Sequence, residues 1–382
     1  MPGAPIVVVG GGLAAGSAVV ELREAGYDKE IVLFAEEPEI PYERPPLSKG
    51  FLQGEKDRES TYVRPREWYD KHGVDLRLGE PVTGINLQRL GVHSDAGDTA
   101  FDRLLLATGA RPRRLELAPT EQIEVRYLRT LADSTALRER LDTEHHLLIL
   151  GGGWIGMEVA ATARTLGTRV TVVEPAEQPL LAALGSEVAA RFADVHRAQG
   201  VDLRTRTGLD RLEGAEAALS DGTRIEPDTV LVGVGAVPNV ELAVAAGLGV
   251  DNGVLVDSGL RTSHPAVFAA GDVANAAHPL LGTRIRVEHW QNAISQGRAA
   301  AHALLGERVS YAELPYFFSD QYDLGMEFFG HAAGAQHVRV EPGDSDDAFS
   351  CWWFRNGGLV AAMHVNQWDR SDELRERVAR GV

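Results

Sequence analysis

Two runs of three glycines, residues 10–12 and 151–153, each follow a short apolar run and each precede an acid. From Gly12 to Glu36 the spacing is 24 residues, and from Gly153 to Glu174 it is 21. That spacing, near the ~20 of the dinucleotide fingerprint, suits one task. Gly10 or Gly151 makes a tight turn after a strand, and Gly12 or Gly153 lets the backbone approach a pyrophosphate. The helix that follows turns free N–H groups and partial positive charge toward the phosphates, while Glu36 or Glu174 accepts hydrogen bonds from a ribose. Gly156 fills the third glycine position of the second copy. Its counterpart in the first copy is Ala15, which is tolerated because that position serves helix–strand packing.

Such residues need a strand, a turn, a helix and a second strand to hold them. IVVVGGGLAAGSAVVELREAG followed by EIVLFAEE, and HLLILGGGWIGMEVAATARTLG followed by RVTVVEPAE, repeat that order at an offset of 141 residues. The branched apolar runs predict parallel strands buried on both faces, and the Ala-rich segments predict amphipathic helices. The sequence therefore encodes a βαβ unit twice. Between Glu174 and Ala190 there is no Lys or Arg to hold a 2′-phosphate, and Glu174 would repel one, so the second site is expected to take NADH in preference to NADPH.

The remaining composition sets limits. The 382 residues carry a formal net charge of −17, which argues against nonspecific binding to nucleic acid or an anionic membrane. A single cysteine, Cys351, excludes an intrachain disulfide, a redox-active dithiol and a Cys-rich metal site within one chain. Cys351 reads as a buried small hydrophobe. The twelve histidines show no HxxxH or HExxH spacing, so no metal site is expected; His145 and His146 read as solvated. No apolar run reaches the ~18 residues of a membrane span. MPGAPIVVVGGG lacks the basic region of a signal peptide, and a cytoplasmic enzyme is the expectation.

Seven further motifs follow in order: PYERPPLSKGFL (residues 41–52), LLLATGARPR (104–113), RYLRTLADS (126–134), VGVGAVPN (232–239), VFAAGDVA (267–274), VEHWQNAISQG (287–297) and PYFFSDQYDLGM (315–326). Together they resemble the NADH-dependent ferredoxin reductases of bacterial oxygenase systems and, more distantly, the apoptosis-inducing factors. The resemblance covers nearly the whole chain. It implies an α/β fold of two Rossmann-like dinucleotide-binding domains plus a small α+β C-terminal domain, a glutathione-reductase-like architecture without the redox disulfide. An FAD domain would span residues 1–113 and 233–310, an NAD domain 114–232, and a C-terminal domain 311–382. ATG and VPN would mark the crossings between the first two.

The resemblance also assigns residues. FAD would be bound by Gly10, Gly12, Ala14, Glu36, Arg44, Lys49, Val82, Arg129, Asp272 and Trp290; NAD would be bound by Gly151, Gly153, Gly156, Glu158, Glu174 and Gly235. In the more distant relatives, the lysine and glutamate corresponding to Lys49 and Glu158 pair beside the flavin. Here they would hold the nicotinamide carboxamide and keep positive charge near the reduced flavin. Glu158, expected on the first turn of the second helix, could instead serve only the helix N-terminus, and Lys49 could be a solvated surface lysine.

With no sulfur between residues 41 and 54, electrons from NADH would have no thiol destination and would pass from the flavin to a separate protein. The resemblance implies a 2Fe–2S ferredoxin serving a monooxygenase or dioxygenase. Alternatives are a rubredoxin reductase, or an NADH-responsive flavoprotein sensor. A homodimer is possible. Arg284, Arg286, Arg298 and Arg308 are candidate docking charges, and 341–347 (EPGDSDD) reads as a solvated loop. Tyr316, Phe317, Phe318, Trp352 and Trp353 read mainly as C-terminal core. Typical relatives extend further past the last helix than ELRERVARGV does here, which is expected to bear on docking rather than on the nucleotide sites.

Overall fold

A computed structural model describes residues 3–118 and 120–381. The chain forms two compact units. The first comprises Met1–Arg44, Glu59–Arg111 and Val237–Tyr316; the second comprises Pro45–Arg58, Pro112–Ala236 and Phe317–Val382.

The first unit is built on a five-stranded parallel sheet in the order Val267–Ala269, Arg103–Leu106, Ile6–Val9, Ile31–Ala35, Val74–Leu78. Ile6–Val9 is central, with Val7 opposite Val32 on one side and Leu104 on the other. All four of its residues are buried, as a strand covered on both faces requires. The helices Leu13–Glu24 and Trp290–Leu304 pack closely on each other, and glycine makes that approach possible. A Cβ at Gly297 would lie 2.5 Å from the Ala14 carbonyl oxygen. Two three-stranded sheets complete this unit: Val82–Asn86, Gly91–Ser94 and Gly97–Ala100; then Val254–Val256, Ala274–His278 and Thr283–Ile285.

The second unit repeats the theme. Its parallel sheet runs Asp202–Thr205, Arg169–Glu174, His146–Leu150, Thr229–Val232, Glu124–Arg126. His146, expected in solvent, instead opens the central strand: it is buried and hydrogen-bonded through Nε2 to Thr171 Oγ1 at 2.9 Å. His145 is also largely covered and meets Thr229 Oγ1 at 3.0 Å. The polar run EHH thus hides a strand start whose side chains are satisfied by threonines of neighbouring strands.

The C-terminal part of this unit is a five-stranded antiparallel sheet, ordered Tyr316–Gln321, Leu324–Gly330, Gly358–Val365, Phe349–Arg355, His337–Pro342, and covered by the helix Ser371–Gly381. It shares one apolar core with the nucleotide-binding part: Leu52, Met157, Phe192, Phe328, Cys351, Trp353 and Met363 belong to one cluster. Phe317 stacks on Phe328, which in turn meets Trp353, so these aromatics are core. Glu341, expected in a solvated loop, lies on the strand His337–Pro342 and accepts the Trp352 indole N–H at 2.8 Å. The fold is thus the α/β architecture expected from the sequence, with two parallel sheets and an antiparallel C-terminal sheet.

Candidate functional site

The first glycine turn has the geometry of a phosphate cradle. Gly10 sits at φ +128°, and a Cβ there would lie 2.1 Å from the Ala107 carbonyl oxygen of the ATG motif, so only glycine fits. At Gly12, by contrast, a Cβ would meet nothing within 4 Å, so this backbone faces open space. Gly12 is the N-cap of the helix Leu13–Glu24 and offers no capping side chain. The first N–H groups of that helix are therefore left for a ligand.

Ala14, on the first turn, is buried and packs under Gly271, where a Cβ would come within 2.8 Å of the Ala14 methyl. The tight turn Gly271–Val273 thereby sets Asp272 beside this helix N-terminus. Glu36 emerges exposed at the end of Ile31–Ala35. Arg44 bonds Glu37 Oε1 at 3.0 Å and Tyr42 Oη at 3.1 Å, and Tyr42 donates to Glu37 Oε2 at 2.6 Å, which braces the loop after Glu36. Val82 opens its strand and Trp290 its helix, both half-buried against the first core. The ATG and VPN motifs are joined reciprocally, since Thr108 Oγ1 donates to the Asn239 carbonyl and Asn239 Nδ2 to the Thr108 carbonyl, both at 2.7 Å.

The second turn repeats the cradle. Gly151 has φ +102° and a Cβ there would lie 2.5 Å from the Gly233 carbonyl oxygen; Gly153 again faces open space as an uncapped N-cap. At Gly156 a Cβ would be 2.2 Å from the Gly151 carbonyl oxygen. Gly235, at φ +103°, turns the chain after Thr229–Val232, and its carbonyl accepts the Arg113 N–H at 2.9 Å. Glu174 is half-buried and accepts the Gly152 N–H and the Ala176 N–H, each at 2.7 Å. No Lys or Arg lies between Glu174 and Ala190, but Arg206, just past the neighbouring strand, donates its own N–H to the Ala176 carbonyl, and its guanidinium is held by Glu177.

Lys49 and Glu158 meet. Lys49 Nζ donates to Glu158 Oε2 at 2.6 Å, and both side chains are largely withdrawn from solvent, at 17% and 5% exposure. Lys49 is therefore no solvated surface residue, and its ammonium also lies 5.5 Å from the centre of the Phe318 ring. Glu158 sits on the second turn of the helix Trp154–Thr165, not the first, so the helix N-terminus does not account for it.

Two serines that the sequence reading did not select complete the cage. Ser48 donates to Glu158 Oε2 at 2.6 Å and Ser319 to Oε1 at 2.7 Å. The turn carrying Ser48 and Lys49 is fastened in turn: Thr162 Oγ1 donates to the Ser48 carbonyl at 2.7 Å, and Ser134 Oγ to the Leu47 carbonyl at 2.8 Å. Part of the RYLRT motif is thus structural. Thr130 and Asp133 form a capping box for the helix Leu131–Arg138, and Arg129 donates its backbone N–H to Asp133.

The Lys49–Glu158 pair and the cradles include no cysteine. Cys351 is buried in the C-terminal sheet, and burial pushes its thiol up to about 12, so it stays protonated and unreactive. Arg284 and Arg286 are also spoken for. Arg284 donates to the Val256 and Asn275 carbonyls, and Arg286 to the Asp272 carbonyl and to Glu288. Arg308 and Arg298 remain at the surface.

Residues 4–297 match the family model of pyridine nucleotide-disulphide oxidoreductases, and residues 316–382 match the model of the reductase C-terminal domain. The chain belongs to the pyridine nucleotide-disulphide oxidoreductase family. Within it, the chain is 40% identical to the anthranilate 1,2-dioxygenase system ferredoxin–NAD(+) reductase component of Burkholderia cepacia, over 99% of this chain and 95% of that one. It is 36% identical to a rubredoxin–NAD(+) reductase of Ectopseudomonas oleovorans, over 97% of each. The putidaredoxin reductase–putidaredoxin complex superposes with a TM-score of 0.95 at 35% identity, covering 99% of this chain and 94% of that one. This member of the family is an oxidoreductase that lacks the sulfur pair of the family's name. Among the described residues no cluster of His, Cys, Asp and Glu could hold a metal, and no helix is long and apolar enough to cross a membrane.

Proposed function

We propose that the chain is an FAD-dependent NADH:ferredoxin reductase supplying electrons to a monooxygenase or dioxygenase. The observation that carries this reading is the only cysteine of the chain. Cys351 is buried with its thiol held protonated, so electrons taken from NADH have no dithiol to pass through. They must leave through the flavin to another protein. The ferredoxin–NAD(+) reductase from Burkholderia cepacia and the putidaredoxin complex, both alike along nearly their whole length, support a ferredoxin as that protein.

The first cradle fits FAD, because its glycine turn is closed against Ala107 while its uncapped helix N-terminus is open. Gly10, Gly12 and Ala14 would line the pyrophosphate, Glu36 the adenosine ribose and Asp272 the ribityl chain, with Arg44, Val82 and Trp290 as further contacts from the same unit. FAD so held supplies acceptance of two electrons as hydride and their release one at a time. Lys49 and Arg129 would be further FAD contacts, on the resemblance alone.

In the second cradle Gly151, Gly153 and Gly156 would admit the NADH pyrophosphate, with Gly235 beside them, and Glu174 would accept from the ribose. NADH is preferred over NADPH, because Glu174 repels a 2′-phosphate and Glu177 occupies Arg206. Glu158 would accept from the nicotinamide carboxamide. Lys49, fixed by Glu158, would hold a positive charge where hydride departs.

The partner is proposed to be a 2Fe–2S ferredoxin, with neither nucleic acid nor membrane as partner, a cytoplasmic location and a possible homodimer. Because the protein is acidic, docking of an acidic ferredoxin would draw on local cations such as Arg298 and Arg308. The test is anaerobic mixing of the NADH-reduced holoenzyme with a purified 2Fe–2S ferredoxin, followed by absorbance. Rapid bleaching of the iron–sulfur band is expected, slowed by high salt while NADH–ferricyanide activity persists. A flavin that NADH reduces but no ferredoxin reoxidises would overturn the reading. The rubredoxin relative favours a second reading, so the same mixing with rubredoxin discriminates partners.

A further inference from the structure

Beyond Ser319 a line of buried polar side chains continues through the second unit. Gln321 Nε2 donates to Ser319 Oγ at 3.1 Å, Gln321 Oε1 meets His196 Nε2 at 2.8 Å, and Tyr322 Oη meets His196 Nδ1 at 3.4 Å. Ser319, Gln321 and His196 are each no more than 1% exposed. They come from two elements remote in sequence, the strand Tyr316–Gln321 and the helix Ser186–Ala198. Burying this many polar groups is costly unless every one is paired, and here they pair in a single line that ends on Glu158.

The directions of the protons follow from Glu158. An ionised carboxylate only accepts, so Ser319 must spend its proton on Glu158 Oε1. Ser319 Oγ then accepts, which turns the Gln321 amide nitrogen toward it and the Gln321 oxygen toward His196. That oxygen demands a donor, so His196 carries its proton on Nε2 and leaves Nδ1 to accept from Tyr322. Every donor from Tyr322 inward points the same way. Burial pushes the His196 imidazole down to about 4, so it is neutral at pH 7, as the line of donors requires.

We propose that His196, acting through Gln321 and Ser319, is a positioning residue that holds Glu158 in the one orientation that pairs it with Lys49. The proposal rests on the reading of Lys49 and Glu158 as the nicotinamide-side pair. Ser48 and Lys49 both address Oε2, so Ser319 is the only hydrogen-bond donor to Oε1 among the described residues. Without that donor the carboxylate could rotate about its last torsion, a broad and soft one. With it, the rotation is locked from a distance of three side chains.

The test uses the holoenzyme labelled with 15N-histidine. In the wild type, His196 is expected as a neutral Nε2–H tautomer with well-separated ring nitrogen shifts. Ser319→Ala removes one oxygen and frees the Gln321 amide to turn, so the His196 ring nitrogens should move toward the shifts of an averaged tautomer. NADH–ferricyanide kcat/KM should fall roughly tenfold to a hundredfold, the loss of about one hydrogen bond to a charged group. Gln321→Leu and His196→Leu should match it, and His196→Gln, which keeps a donor, should retain most of the wild-type value. If the tautomer and kcat/KM are unchanged in Ser319→Ala and Gln321→Leu while Glu158→Ala is impaired, the positioning role is overturned. If Glu158→Ala is itself unimpaired, the reading of the pair fails instead. Should His196→Gln not fold, Ser319→Ala carries the test.

Discussion

Glu174 is engaged with its own loop before any ribose arrives. Its two oxygens take the N–H groups of Gly152 and Ala176, which fixes the carboxylate facing the turn and keeps its remaining lone pairs directed outward. Three residues on, Glu177 holds the Arg206 guanidinium in an exposed pair. Exposed pairs are weak, worth about 0.2–1 kcal/mol, so neutralising Glu177 should release Arg206 cheaply. Glu177→Gln is expected to raise kcat/KM with NADPH about twofold to fivefold and leave that with NADH unchanged, as steady-state assays with both nucleotides would show. No change with NADPH would mean that Arg206 does not reach the 2′ position. Residue identity alone hid this arrangement. Arg206 is 32 positions beyond Glu174 in the chain, and only the register of Arg169–Glu174 with Asp202–Thr205 brings them together. Ser48 and Ser319 were hidden for a related reason: single serines in apolar strands and turns carry no spacing signal until the strand Tyr316–Gln321 and the turn before Lys49 converge on Glu158.

At the level of elements, the two βαβ units were legible because glycine position, branched strands and a terminal acid all agree on one backbone path. The difference between the copies was legible too, but its cause was not. Ala15 is buried without conflict in the first helix, whereas a Cβ at Gly156 would strike the Gly151 carbonyl. Gly156→Ala is therefore expected to destabilise the second unit by about 1–3 kcal/mol through overpacking and to weaken NADH binding. Thermal unfolding and NADH titration would measure both; unchanged values would show that the second helix can shift outward at little cost. The turn on which Glu158 sits was misjudged by a single turn, because helix starts are uncertain by a residue or two in sequence. His146 was misjudged more seriously. A histidine pair next to acids looks solvated, yet a central strand begins there and threonine hydroxyls satisfy the ring.

For the molecule as a whole, the absence of redox sulfur is the feature most directly open to experiment. Cys351 packs with Met363, Phe328 and Trp353, and its thiol stays protonated throughout the physiological range. Cys351→Ala should cost about 1 kcal/mol of stability for the small cavity it leaves and should not change ferredoxin reduction by NADH. Loss of electron transfer in a folded Cys351→Ala protein would contradict direct passage from the flavin.

The way the chain weaves between its two units also bears on how the protein is made. The core of the first unit draws on residues from Ile6 to Tyr311, and the largest core of the second from Leu52 to Val365. Neither can close while the ribosome still holds the last fifth of the chain. Until then the apolar strands of both sheets are nascent and unburied, a condition that favours aggregation and chaperone engagement. Truncation near the C-terminus, far from either glycine turn, would therefore be read in the cell as a failure of biogenesis long before it was read as a loss of catalysis.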